Sequence, residues 1–134
     1  MKQTLLGLLL IAIPVGGPFL LQAALPESNT GIVGKYGCTG QGPDGKSYQV
    51  DLEIEKRNDA YGLTWSTSEG TTGVGVGLVK GSVLSVIFQT AQAVGVAGYS
   101  ISKNSLDGSW TVPQLDGMLM PEKCSIGSGP TKAA

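Results

Sequence analysis

Three carboxylates, Asp51, Glu53 and Glu55, are the first residues of this 134-residue chain whose types and spacing could do chemistry. In an extended strand they share one face, with neighbours about 6.7 Å apart. That separation suits a pair of carboxyl groups working through a water, as in inverting glycoside hydrolysis. Tyr48, Val50, Leu52 and Ile54 form the opposite, apolar face, so the acids lie where water solvates them and nothing raises a carboxyl pKa toward that of a proton donor. The chain has no histidine, which removes the commonest general base and the commonest metal ligand together. No G-x-S-x-G nucleophile elbow is present. Asp107-Gly108 and Asp116-Gly117 read as turns and lack the dense ligand loop of a calcium site. No catalytic residue, metal site or cofactor is expected, and the chain does not read as an enzyme.

The remaining candidates are aromatic. Tyr48, Tyr61, Trp65, Tyr99 and Trp110 fall at periodic positions among apolar side chains. Their polar tips could orient a ligand inside a barrel, or the rings could simply fill a small core. The two cysteines allow one pairing, Cys38 with Cys124. In an exported chain two cysteines read as a disulfide, and the absence of histidine and of Cys-x-x-Cys spacing argues against a metal or redox pair.

These residues must be positioned by strands. Gly42-Pro43-Asp44-Gly45 supplies a tight turn, and from Ser47 to Arg57 the side chains alternate with a period of two. Arg57-Asn58-Asp59-Ala60 reverses the chain, and Tyr61, Leu63 and Trp65 return with the same period. Further strands are expected at Lys35 to Thr39, Gly73 to Leu78, Val83 to Gln89, Gly95 to Lys103, Leu106 to Val112 and Met118 to Cys124. In Gly73-Val74-Gly75-Val76-Gly77-Leu78 glycine occupies one face and an aliphatic the other, which permits strong coiling or close approach by another group. In the next strand Leu84, Val86 and Phe88 face one way, and Val83, Ser85 and Ile87 the other. Its second face is either covered or a patch for a partner.

Eight short strands with no helical period describe an all-β, up-and-down antiparallel barrel of lipocalin or avidin size. Its one disulfide would join the first strand to the last, and closure relieves both edges. The barrel domain is expected over residues 35–124. Residues 1–24 read as a secretory signal: Lys2, an apolar run from Leu5 to Ile13, and small residues at Ala23-Ala24. Pro14, Gly16, Gly17 and Pro18 interrupt that run too often for a membrane span. Residues 25–34 read as a mobile leader and 125–134 as a disordered tail. Basic residues are scattered, apart from Lys56-Arg57, which argues against nucleic acid.

Taken in order, Tyr36-Gly37-Cys38, Pro43-Asp44-Gly45, Leu63-Thr64-Trp65, Gly73-Val74-Gly75, Gly95-Val96 with Tyr99 and Ile101, and Gly108 with Trp110-Thr111 resemble a family of small exported bacterial β-proteins known as fibronectin-binding. The likeness covers most of Tyr36 to Thr111. It fades beyond, where the family's acidic Gly-x-Glu ending is echoed by Met120-Pro121-Glu122, and Cys38 stands where an aliphatic is usual. The resemblance implies adhesion to a matrix protein such as fibronectin, and the residues themselves read as an exported, non-enzymatic binding protein, in the periplasm, at the outer surface or secreted, that contacts a protein through loops or the outer face around Val83 to Phe88. Two alternatives are a calyx holding a small apolar molecule between Trp65, Tyr99 and Trp110, and a periplasmic inhibitor of a hydrolase such as lysozyme.

Overall fold

The computed structural model describes residues 31–127. The expected signal, most of the leader and all but the start of the expected tail lie outside them. Within them the chain is a closed barrel in which each strand pairs antiparallel with the next and the last with the first. The strands are β1 (Gly34–Gln41), β2 (Ser47–Arg57), β3 (Ala60–Thr67), β4 (Gly70–Lys80), β5 (Val83–Thr90), β6 (Val94–Ser102), β7 (Ser105–Thr111) and β8 (Met120–Ile126). The expected eight-strand up-and-down barrel is therefore present. Among the described residues no helix is long and apolar enough to cross a membrane.

The two ends of the barrel differ because their turns differ. At one end β2–β3, β4–β5 and β6–β7 are joined by two-residue loops, Asn58-Asp59, Gly81-Ser82 and Lys103-Asn104. Asn58, Gly81 and Asn104 adopt φ of 56°, 63° and 61°, the left-handed geometry that lets a tight hairpin follow the twist of its strands. Ile32 is buried beneath this end, and its carbonyl accepts a hydrogen bond from the Tyr36 hydroxyl at 2.9 Å. Part of the segment expected as leader is thus a plug. At the other end β3–β4 is again a two-residue hairpin, at Ser68-Glu69, but the 112–119 connection is long and holds a 3₁₀ turn at Pro113–Leu115, and 42–46 and 91–93 are longer loops. β4 also carries a bulge there: pairing with β3 shifts between Trp65 and Ser66, leaving Thr72 unpaired in the ladder. This end stays open.

Both ends of the last strand differ from the sequence expectation. Asp116 and Gly117 turn the chain with positive φ, so Met118 and Leu119 are exposed loop residues and β8 begins only at Met120, opposite Trp110. β8 then runs on to Ile126, because Ser125 pairs with both Gly37 and Ser105 and Ile126 pairs with Tyr36.

Cys38 and Cys124 are registered partners on β1 and β8 and form a disulfide across 86 residues of sequence. It fastens the seam where the sheet meets itself. The outer surface is divided. On β2 the outward Asp51, Glu53 and Glu55 are exposed, as the alternation requires. On β4, β5 and β6 the outward Val76, Ile87 and Val96 are cross-strand neighbours, each 55 % exposed. The second face of β5 is therefore an uncovered apolar patch, with Val74, Leu78 and Val94 around it. Phe88 is not part of this patch, since its parity turns it inward with Leu84 and Val86.

Replacing Cys38 and Cys124 together by alanine should lower the unfolding free energy by about 2–4 kcal/mol, the range typical of disulfides and somewhat below the full loop-closure value for a bridge of this span. Urea melts of the two proteins read this directly, and a midpoint equal to the parent's would show that the strand pairing alone holds the seam.

Candidate functional site

The barrel interior is filled in one half and hollow in the other. Toward the closed end Leu52, Ile54, Tyr61, Leu63, Leu84 and Leu106 pack with the disulfide into a dry core. Toward the open end lies a cavity of about 580 Å³, walled by Trp65, Phe88 and Trp110 with Val50, Ala93 and Val112.

Most of the large rings fit inside so narrow a barrel because they face a glycine, whereas Trp110 is registered between Ala97 and Met120. Trp65 is registered opposite Gly73, Phe88 between Gly75 and Gly95, Tyr99 opposite Gly108, Tyr48 opposite Gly40, and Tyr61 opposite Gly77. A Cβ on Gly95 would collide with the tip of the Phe88 ring, and one on Gly75 would press on Trp65 at 3.2 Å. Gly73, Gly75 and Gly77 of β4 therefore face inward, and what approaches them closely is the barrel's own side chains and the β5 backbone. The rings lean on one another edge to face, Trp65 to Phe88 at 6.0 Å and Phe88 to Trp110 at 6.2 Å between centroids.

The floor of the cavity is polar. Reading around the wall, Tyr48, Gly40, Glu122, Gly108 and Tyr99 are successive registered partners on β2, β1, β8, β7 and β6. Both residues flanking Glu122 are glycines, so each tyrosine can lean across its glycine and reach the carboxylate. The Tyr48 hydroxyl donates to Glu122 Oε2 at 2.9 Å and the Tyr99 hydroxyl to Oε1 at 2.5 Å. Trp110 Nε1–H donates to the Tyr48 oxygen at 2.8 Å, which leaves the Tyr48 proton directed at the acid. A Cβ at Gly40 would occupy the place of the Tyr48 hydroxyl, and one at Gly108 would overlap the Tyr99 ring. The disulfide lies just below: the two Sγ atoms and a Glu122 oxygen fall within 4.8 Å of one another. Joined as a disulfide, the cysteines offer no thiolate to a metal.

Glu122 is 4 % exposed, and burial of a carboxylate without partners costs several kcal/mol. The two phenols recover part of that cost as charge-assisted hydrogen bonds. Their own chemistry changes in return. Burial pushes both phenols well above the ordinary tyrosine value, and the Glu122 charge and hydrogen bond push the same way; in Tyr48 the Trp110 bond opposes this. Burial also raises Tyr36 and Tyr61.

Four of the five aromatic residues singled out in the sequence, Tyr48, Trp65, Tyr99 and Trp110, line this one cavity. The fifth, Tyr61, belongs to the filled half, where its ring lies 4.8 Å beneath the Lys56 ammonium. The sequence candidates leave out Phe88, the third ring of the wall, and Glu122, the acid of the floor. Strand parity could have found the acid, since Glu122 lies two residues from Cys124 and so shares its inward face.

No family model and no curated protein matches the chain. Among solved structures it is similar to a redesigned β-barrel, mFAP1, bound to DFHBI, with a TM-score of 0.61 and 15 % identity over 75 % of this chain and 99 % of the other. It is also similar to a de novo designed fluorescence-activating β-barrel, with a TM-score of 0.58 and 16 % identity over 76 % of this chain and 99 % of the other. At these identities the likeness is one of fold.

The raised phenols set an alkaline limit on stability. In the unfolded chain tyrosine ionises near its ordinary value of 10.0. The folded chain keeps those protons to higher pH, so above that value the unfolded state binds fewer protons and stability falls as pH rises. Urea midpoints should hold steady to about pH 9 and fall by about pH 11. Phenolate absorbance should rise together with unfolding and not before it; ionisation of all the tyrosines within the intact fold would contradict the buried network.

Proposed function

We propose that the protein is a non-enzymatic binding protein whose open half-barrel holds one small molecule with an apolar, ring-sized body. The observation that carries this reading is the hollow itself. A barrel of this size needs its large side chains for burial, yet Trp65, Phe88 and Trp110 line the wall of a cavity instead. Apolar walls with a few convergent polar groups at the bottom are the general character of small-molecule sites. A guest covering roughly 300 Å² of apolar surface, its own and the wall's, gains about 7 kcal/mol before association costs. Association costs come off that figure, so binding weaker than about 10 µM follows. The similar designed barrel bound to DFHBI supports the view that such a fold can seat a guest. The disulfide supports export to an oxidising compartment.

A polarity-sensitive dye added to the purified protein should bind one to one with a Kd between about 10 µM and 1 mM, and native mass spectrometry should show the complex. Ala93→Trp, at the mouth, should abolish binding and leave the melting temperature within a few degrees of the parent's. Equal binding by both proteins would place the dye outside the barrel.

A second reading, adhesion to a matrix protein such as fibronectin, is favoured by the apolar row Val76, Ile87 and Val96 on the outer wall, since a patch of this kind is uncommon on a protein that works alone. Immobilised fibronectin should retain the parent protein and release Ile87→Lys. Retention of neither, with folding intact, would remove this reading.

A further inference from the structure

We infer that the guest of the half-barrel is an organic cation: a small amine with an apolar body whose ammonium group sits on Glu122. The inference rests on the cavity being a binding site and adds the chemical class of what it takes. Among the residues that line the cavity, Glu122 is the one charged side chain. No lysine or arginine faces it from any of the lining positions on β2 to β8. Lys123, its neighbour in sequence, points outward and lies 4.0 Å from Asp107.

A carboxylate at the floor of an apolar pocket is costly, and a purely structural knot between Tyr48 and Tyr99 would be met at lower cost by an amide. Two oxygens of a carboxylate offer about four acceptor positions, of which the two phenols occupy one each. The remaining positions accept donors from the cavity side. Tyr48 and Tyr99 cannot serve an anionic guest, because their protons are already committed to the acid. An ammonium group has donors and charge to satisfy the free positions, and the ring faces of Trp110 and Trp65 favour a cation beside them. An anionic guest meets like charge in a dry site.

The test uses three probes of one shape and different charge: naphthylethylamine, naphthylethanol and naphthylacetate, titrated by calorimetry against the full disulfide-bonded protein and against Glu122→Gln. A charge-assisted hydrogen bond exceeds a neutral one by enough for about a ten-fold difference in Kd. The amine should bind at least that much more tightly than the alcohol, and the acetate more weakly than either. In Glu122→Gln the amine should fall to the alcohol's affinity and the alcohol should be unchanged. Equal binding of amine and alcohol by the parent protein would overturn the cationic assignment and leave the cavity as a neutral site. A preference that survives in Glu122→Gln would overturn it as well. If none of the three binds, the binding-site reading fails and this inference with it. Should Glu122→Gln not fold, the order of the three probes on the parent protein still decides.

Discussion

The pairing of an inward aromatic ring with a glycine on the neighbouring strand is the contact on which the rest of this barrel depends. Eight strands enclose an interior only about as wide as the side chains that fill it, so most of the inward rings are seated against an absence. The register supplies one at Gly73, Gly75, Gly95, Gly108 and Gly40. At Gly40 and Gly108 the absence does more than make room. It places two phenols on either side of one acid, each within hydrogen-bond reach, in a row that runs around five strands. An added methyl at either glycine would crowd the neighbouring backbone and displace a tyrosine from the carboxylate, leaving the acid buried with a lost partner.

A second asymmetry runs along the barrel. Two-residue hairpins draw the strands together at one end, where Ile32 and the aliphatic layer close the interior. Longer connections and the Thr72 bulge leave the other end wide. The disulfide lies between these halves, under the acid and above the aliphatic core. It thereby holds β1 and β8, the strands carrying Gly40 and Glu122, in the register that the polar row requires.

Much of this is legible in the sequence. Strict alternation in β2 and β3 tells which faces turn inward, the asparagines and glycines mark the tight turns, and two cysteines in first and last strands imply a closed seam. Four of the five aromatic candidates meet in one cavity because they share inward parity. Tyr61 does not, because parity gives the face and not the height along the axis, and its strand places it in the filled half. Glu122 escapes a reading of the sequence for a physical reason: an acid in a strand is ordinarily a solvated residue, and only its register between two glycines, with tyrosines beyond them, makes its burial tolerable. The segment around Ile32 reads as mobile because its composition is that of a linker. One isoleucine and one hydrogen bond from Tyr36 suffice to seat it. The start of β8 lies later than the apolar run of Met118 and Leu119 suggests, since the left-handed turn at Asp116-Gly117 delays the strand.

The described chain enters at Ile32 and leaves at Gly127, whose amide donates to the Lys35 carbonyl, and both points belong to the plugged pole. A linker, label or solid support attached through either point would therefore leave the cup facing away from the attachment.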